Sequence, residues 1–519
     1  MLRPFLLLLV FGLWMPPRAT TLQGQVLDAS TGTPIPCRIA IRGEDGTFYF
    51  AKSAAADGSA IEYKKAAFGN PKIVENHVSL SAHPFTVEVP PGKYAVTVQR
   101  GKEYLPEVRK VDVPEAGAKV EIKLKRWITM AERGWYSGET HVHRMPDQLP
   151  NLMLAEDLNV ALPLTSWVVE AYKSPKGTNK TLAGVMNDPR VVEVDRTHVF
   201  YPRNTEYEIF YVGKKKHTLG ALFILNHKTL FEEGLPPVRP IVQKARAEGA
   251  LLELDKHNWP WSMMLAPVFN VDLYELANNH MWETEFAFKD FGTPAPDWMK
   301  IEKDAKGMTE WGWIDYTFKN YYSLLNCGLR MRPTAGCASG VHPVPLGFGR
   351  VYVQMSGEFS YERWMRGLKE GPSFVTTGPM LFVTFKDGIA NFRVESTSPA
   401  SISLIVNGER FMGVPPSDHE RNGVYVNGDG FPLQVSETSW FAVQSLQEDK
   451  DGRVRWAHSA PIWIDVPGKP IRPRKQDVEF LMKQVETEIE RNKDVLTPEG
   501  LAEYQEALDF YKAKLKEAR

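Results

Sequence analysis

The chain has 519 residues, 43% of them hydrophobic, which is enough for about three domains with their own cores. Its 62 basic and 63 acidic side chains leave a net charge of −1, and the sequence has no basic stripe. This balance excludes the basic excess typical of nucleic-acid-binding proteins, so we expect no nucleic-acid partner.

Residues 1–19 have the pattern of a secretory signal peptide. One positive charge, on Arg3, precedes an apolar stretch at 5–15, which is short for a membrane span of about 20 residues. Pro17 is unusual so close to a cleavage point after Ala19, so an uncleaved anchor stays open. We expect an exported protein, periplasmic or extracellular, with no membrane span after cleavage.

Residues 20–125 have an all-β pattern. Apolar and polar residues alternate over 85–89 and 94–98, which predicts strands with one buried face in a small β-sandwich. The segments 24–28 and 31–36 resemble the opening of carboxypeptidase-regulatory-like, transthyretin-type β-sandwiches. That resemblance implies a module for stability or adhesion that carries no chemistry.

Residues 126–378 have a different pattern. The apolar runs at 219–225 and 250–254 lack polar alternation, as expected for strands buried on both faces. A helical stretch at 240–248 lies between these two runs. The alternation of buried strands with helices predicts an α/β barrel-like domain.

The C-terminal part combines β and helical patterns. Alternation returns in residues 379–470 and predicts a β-sandwich-like module. Residues 471–519 follow a 3.6-residue apolar period, with Thr497 and Pro498 at the start of a second helix. We expect a helical hairpin tail that packs on the body of the protein.

The chain has three cysteines, so at least one thiol is unpaired. Cys327 and Cys337 lie ten residues apart and could form a disulfide, whereas Cys37 is remote in sequence. No Cys-x-x-Cys pair occurs, so we do not expect a thiolate zinc site.

His141 and His143 form the clearest metal-binding pattern in the sequence. Residues two apart on a strand share a face, so both imidazoles can chelate one ion, although a role in a core is the alternative. Eight of the twelve histidines lie between positions 141 and 342. His227 and His257 each follow an apolar run, which places them at strand ends, where a barrel has its site.

Residues 135–143, with the run Gly138-Glu139-Thr140-His141-Val142-His143, resemble the first motif of the PHP (polymerase and histidinol phosphatase) superfamily. They are most similar to its CehA/McbA branch, whose members often have Gly-Asp-Leu-His-Val-His at this place. Further motifs of that branch have counterparts in the same order along the chain. These counterparts are residues 204–206, 255–257, 274–278 and 371–379.

The resemblance implies a distorted (β/α) barrel of PHP type that holds divalent metal ions, namely zinc, manganese or iron. It also implies that a metal-bound hydroxide attacks an ester, because a bound ion lowers the pKa of its water to about 7. Histidine and carboxylate ligands suit all three metals, so ligand type does not select one. The metal ligands that the resemblance implies are His141, His143, Glu206, His257 and Glu275.

Three departures from the family pattern affect this ligand set, and one is that Leu219 and Gly220 stand where the second motif has a histidine. Ala338 stands where the family has an aspartate, and Gly340 stands where it has a histidine. His280 and His342 are the candidate replacements for a missing metal ligand. We therefore expect a remodelled site with one or two ions.

The residues around the expected ligands have open alternatives. Asp255 and Lys256 flank His257 and are the candidate catalytic residues, which orient that ligand or contact substrate, unless they form a salt bridge. Glu208 shares the strand face of Glu206 and competes with it as a ligand.

Aromatic and basic side chains near the motifs also allow two interpretations. Trp259 and Trp261 either form a flat stacking wall or pack in a core. Arg144 and Arg350 either clamp an anionic group or have structural roles.

The sequence as a whole favours an exported metal-dependent hydrolase that acts on a phosphoester, carboxylic ester or carbamate, in a small-molecule or polymer substrate. The alternative is a catalytically impaired barrel that, with its β modules, binds an extracellular polymer or a protein. The motifs in family order favour the enzyme, and Ala338 favours the binding protein.

Overall fold

The computed structural model describes residues 19–68, 70–177, 189–255, 259–290, 292–448 and 452–519. The expected signal up to residue 18 and the candidates Lys256 and His257 lie outside these segments. Within them, no helix is both long enough and apolar enough to cross a membrane. The described residues form several β-sheets and comparatively few helices, so the structure is mostly sheet.

The N-terminal part consists of two sheets around one apolar core, in agreement with the predicted alternation. The first sheet has the order β10 (Ala118–Leu124), β1 (Thr20–Asp28), β7 (Phe85–Val89) and β4 (Lys52–Ser53). The second has the order β5 (Ala60–Ala67), β6 (Asn70–Leu80), β2 (Cys37–Gly43), β8 (Gly92–Gln99) and β9 (Glu107–Val113), with β3 (Phe48–Tyr49) on β2. Leu22, Phe85 and Val96 are fully buried between the sheets, and burial of such side chains stabilises their association.

A mixed seven-stranded sheet forms much of the central part. Its order is β14 (Lys176–Gly177), β13 (Ser166–Glu170), β17 (Thr205–Val212), β18 (Lys215–Leu225), β19 (Leu251–Leu254), β20 (Leu273–Ala277) and β23 (Arg332–Ala335). The two predicted buried runs lie in β18 and β19, where their side chains are buried.

Most of the remaining strands of the central part belong to an eleven-stranded sheet. Its order is β15 (Val192–Glu193), β16 (Val199–Phe200), β12 (Val160–Pro163), β11 (Trp135–Val142), β24 (Arg350–Gln354), β25 (Ser373–Thr376), β33 (Val454–Ser459), β32 (Ser439–Glu448), β28 (Ala400–Val406) and β29 (Glu409–Val414), with β34 (Ile462–Ile464) on β32. Because β25 pairs with β33, this one sheet crosses the expected domain boundary at 378/379.

The expected barrel is not closed by strand ladders in the described residues. Its strands divide between the two large sheets, which meet where the Thr140 hydroxyl donates to the carbonyl of Ala335 (3.1 Å) and Val142 bridges Ser339. The pairs β17–β18 and β18–β19 are antiparallel, so the parallel (β/α) repeat is interrupted. The physical reason is the tight turn at Gly213, because a hairpin reverses the chain without a crossover helix.

Two smaller sheets complete the strands. One has the order β26 (Met380–Lys386), β27 (Ile389–Ser396), β31 (Val424–Pro432) and β30 (Glu420–Arg421), and the other pairs β21 (Lys303–Asp304) with β22 (Gly307–Met308). The helices are α1 (Leu149–Glu156), α2 (Arg239–Ala247), α3 (Trp261–Phe269), α4 (Glu310–Asn326), α5 (Tyr361–Glu370), α6 (Lys475–Asn492) and α7 (Pro498–Glu517), with short 3-10 turns at Ala131–Arg133 and Asp297–Met299.

Helices α6 and α7 form the predicted helical hairpin. The Thr497 side chain accepts a hydrogen bond from the amide of Gly500, and Pro498 occupies the first turn, as predicted. The tail packs on the central part, where the Tyr511 hydroxyl donates to the carbonyl of Met263 (2.8 Å).

The three cysteines are buried free thiols. The disulfide that the spacing of Cys327 and Cys337 allows is therefore not formed. Cys327 follows α4, whereas Cys337 lies beside β11, where its amide donates to Glu139.

Glu503, on α7, links the tail to the central part. Its buried carboxylate accepts hydrogen bonds from the amides of Val238 (2.9 and 3.0 Å) and Arg239 (2.9 Å). These amides lie at the start of α2, where helix N–H groups have no partner within the helix. The tail therefore caps a helix of the central part.

Glu503→Ala should destabilise the protein, because loss of the acceptor from buried amides costs about 1–3 kcal/mol per group. We expect the melting temperature, measured by calorimetry, to fall by about 2 °C or more. The matched control is Glu506→Ala, on the same helix, whose exposed carboxylate pairs with Arg239. Since such surface pairs contribute about 0–1 kcal/mol, equal shifts in the two variants would contradict the capping role.

Candidate metal centre

His141 lies near the end of β11, which is buried along its whole length, and His143 follows directly after the strand. Their rings are 5.1 Å apart between centroids, and the two Nε2 atoms are 3.2 Å apart. The predicted shared face of this pair is therefore confirmed.

Glu206, on β17, brings a carboxylate to the same place. Its Oε2 lies 3.3 Å from Nε2 of His143, and its Oε1 lies 3.9 Å from Nε2 of His141. The three side chains are close enough for one ion to contact a ligand atom of each. Strands from both large sheets thus contribute to one group of donors.

A second group of donors surrounds the other nitrogen of His141. Its Nδ1 lies 3.0 Å from Oε2 of Glu275 and 3.8 Å from Oδ1 of Asp255. The Oε1 of Glu275 accepts a hydrogen bond from the amide of Asn279 (3.1 Å). A carboxylate held in this way fixes the tautomer and orientation of an imidazole.

Glu208 joins Glu206 and Asp255 in a third group of possible ligands. Glu206 and Glu208 were predicted from the sequence as alternative ligands, but the structure brings both to the site. Clustered carboxylates in a buried place repel one another, and a divalent cation offsets that repulsion. Imidazole nitrogens and carboxylate oxygens are ligands of zinc, manganese and iron, so the donor set fits such an ion.

Glu253, on β19, is a buried residue next to the candidate ligands that forms hydrogen bonds to both large sheets. Its Oε1 accepts hydrogen bonds from the hydroxyls of Thr140 (2.8 Å) and Thr334, which lie on β11 and β23. Burial raises the pKa of Glu253 to about 8, and the nearby Asp255 adds to this shift. This carboxyl group therefore ties the two large sheets together next to the candidate ligands.

Glu139, two residues before His141, fixes the loop that follows β23. It accepts hydrogen bonds from the amides of Cys337 (2.7 Å) and Gly347 (2.6 Å). Burial raises the pKa of Glu139 to about 8, while these two amide contacts lower it. This residue did not emerge as a candidate from the sequence.

The same loop approaches the site closely. A Cβ at Gly336 would lie 2.2 Å from Cβ of His141 and 2.8 Å from Cδ of Glu275, so this position has no room for a side chain. Ala338 has φ +50°, and its amide donates to the carbonyl of His141 (2.8 Å).

A cavity of about 360 Å³ opens over the donors and is lined by His141, His143, Glu206 and Glu208. Aromatic side chains line much of the remaining wall. They are Phe68, Trp167, Phe210, Trp259, Trp282 and Phe288. Two interpretations of Trp259 and Trp261 were open from the sequence, a stacking wall or core packing. Trp259 lines the cavity, whereas Trp261 is fully buried in the core.

His280 and His342 line this cavity but lie within its aromatic wall. The His280 ring stacks on Phe288 with centroids 3.8 Å apart, and His342 is edge-on to His280 at 5.9 Å. Neither belongs to a group of convergent donors among the described residues. Their expected role as replacement ligands stays a prediction.

Two other candidates have structural contacts. The buried His227 contacts the Thr229 carbonyl (2.7 Å) and the Thr205 hydroxyl (2.8 Å), and burial lowers its pKa to about 4. Arg350 donates to the backbone carbonyls of Gly347, Asp157 and Glu156.

Arg144 lies near the site without contacting the candidate ligands in the described interactions. Its guanidinium donates to Gln148 (3.2 Å) and lies 4.5 Å from the centre of the Tyr63 ring. The predicted anion clamp at Arg144 stays a prediction.

No protein-family model and no curated protein matches this chain. Among solved structures, the chain is similar to a two-domain protein from Bacteroides vulgatus that contains a predicted PHP-like metal-dependent phosphoesterase. The identity is 10% and the TM-score is 0.27, over 64% of this chain and 95% of that one. A likeness of this size carries no functional conclusion, so the case for the site rests on its geometry.

Gly336→Ala should weaken metal binding, because the added methyl group displaces His141 or Glu275. Disturbing the partners that orient a ligand typically costs about 10- to 100-fold in metal affinity, and we expect a loss in this range in a zinc titration. Gly92→Ala is the matched control, since its Cβ would meet Tyr94 at an ordinary 3.8 Å. Unchanged zinc affinity in Gly336→Ala would contradict the placement of the centre.

Proposed function

We propose that this chain is a metal-dependent hydrolase of ester bonds, with a metal centre nucleated by His141, His143 and Glu206. The observation that carries the proposal is the 3.2 Å separation of the two imidazole Nε2 atoms beside the Glu206 carboxylate. The motifs that resemble the PHP superfamily support the same chemistry. The substrate is a phosphoester, a carboxylic ester or a carbamate.

The side chains around His141 prepare it to bind a cation. Glu275 accepts a hydrogen bond from Nδ1 of His141, so Nε2 is left as the coordinating atom. Asp255 extends the donor set on the side of Glu206, which allows one or two ions. Asp255 thus serves as a possible ligand that also lies 3.8 Å from Nδ1 of His141, and the predicted catalytic contribution of Lys256 is retained as part of the proposal.

Zinc, manganese or iron at this place would lower the pKa of a coordinated water and stabilise charge on the attacked ester. Glu208 is half-buried and faces the cavity, so its carboxylate is placed to accept a proton from the attacking water. The aromatic side chains that line the cavity would displace part of the water around a bound ester, which strengthens electrostatic interactions there.

Export is part of the proposal and is supported by the pattern of residues 1–19. A second candidate function is binding of a polymer or protein without turnover. It is favoured by Ala338, whose methyl group lines the cavity where the family pattern has an aspartate.

His141→Ala should abolish stoichiometric metal binding and lower kcat/KM on chromogenic esters by more than about 100-fold. The reason is that loss of a ligand costs more than the 10- to 100-fold typical of its outer partners. Metal content is measured on the purified protein, and activity is screened on phosphate, carboxylate and carbamate esters.

The matched control is His419→Ala, since His419 is exposed and lies outside the cavity. We expect this variant to keep the metal and the activity of the wild type. Protein without stoichiometric metal, and indifferent to His141→Ala, would exclude the hydrolase. Bound metal without turnover of any ester class would instead favour the binding protein.

A further inference from the structure

The hairpin of β5 and β6 reaches from the N-terminal sandwich to the candidate metal centre. On β5, the buried Tyr63 donates its hydroxyl hydrogen to the carbonyl of His342 (2.5 Å) and accepts from the amide of Gly340 (2.8 Å). A Cβ at Gly340 would lie 2.4 Å from the carbonyl oxygen of His143, so this loop contacts the ligand segment directly. The hairpin is therefore fastened to the wall of the cavity.

Phe68 follows β5 and lines the cavity, although 75% of it is exposed to solvent. Its ring is edge-on to His342 with centroids 5.9 Å apart. Trp167, which also lines the cavity, lies 5.7 Å from His143 between ring centroids. Phe68 is therefore part of a group of aromatic side chains around one cavity, and a contiguous apolar surface of this kind is typical of a binding site.

The cavity separates polar donors from flat apolar faces. The possible ligand atoms cluster around His141, whereas the wall presents aromatic rings. A ligand that fills such a cavity needs a group for the metal centre and a ring for the wall, because aromatic rings gain affinity from stacked and edge-to-face contacts.

We propose that this hairpin is part of the substrate-binding site and that Phe68 selects esters that carry an aromatic or similarly flat apolar ring. The proposal rests on the proposed function, since it concerns the substrate of the same centre. Phe68 contacts the ring of the substrate, and Tyr63 holds the hairpin in place. The N-terminal sandwich therefore contributes to specificity, in contrast to the stability or adhesion role expected from the sequence.

The test compares binding of phenylphosphonate and methylphosphonate to zinc-loaded protein by calorimetry. Both probes offer the same group to the metal and differ in the ring. We expect the wild type to bind phenylphosphonate more tightly, and Phe68→Ala to reduce this preference by about 3- to 10-fold, as for loss of one aromatic contact. Phe68→Trp should retain the preference, because it keeps a flat ring at the rim.

Phe411→Ala is the matched control, since Phe411 is 54% exposed but lies on β29, outside the cavity. It should leave both affinities unchanged. Equal binding of the two probes by the wild type, or an unchanged preference in Phe68→Ala, would overturn the role of Phe68 while zinc binding and ester hydrolysis stand. Failure to load zinc, with no binding of either probe, would instead overturn the proposed function and this inference with it.

Discussion

The convergence of imidazoles and carboxylates around His141 is the constraint on which the rest of the site depends. Glu206, Asp255 and Glu275 are all buried, and like charges at short distance in a buried place oppose one another. All three lie on or directly after strands of the seven-stranded sheet, and they reach the histidines where this sheet meets β11 of the eleven-stranded sheet. That strand supplies the histidines, whereas β17, β20 and the end of β19 supply the carboxylates. Each side chain needs only its strand position to reach the centre, and no long loop has to be ordered to form it.

The residues that hold the ligand-bearing strands in place form buried hydrogen bonds. Glu253 joins Thr140 and Thr334 across the two sheets, and Glu139 holds the loop after β23 through two backbone amides. Apolar packing at these positions would not fix the direction of β11, whereas hydrogen bonds to a buried carboxyl group do. The raised pKa values of both glutamates reflect their burial. The centre is thus surrounded by directional contacts that resist small shifts of its ligands.

Sequence patterns over a few neighbouring residues predicted individual strands, a helix start and the placement of the paired histidines. Alternation predicted β7 and β8, the threonine–proline pair predicted the start of α7, and the spacing of His141 and His143 predicted their shared face. The open arrangement of the large sheets was not predictable, because it depends on which strands pair across the chain. The contact of Tyr63 with His342 joins β5 to the loop after β23, 279 positions away in sequence, so no periodicity could indicate it. The stacking of His280 on Phe288 was not predictable from the sequence either, because it depends on tertiary packing.

The eleven-stranded sheet has a consequence for how this chain can be divided. β25 and β33 share a ladder across position 378/379, so the central and C-terminal parts have no separable boundary there. A fragment ending at 378 would leave β25 as an open edge with unpaired backbone groups, which is a template for association with other chains. The region that follows the candidate centre therefore acts as a permanent cover for this edge. We expect fragments that end near residue 378 to keep the candidate ligands but to associate with one another through the exposed edge of β25.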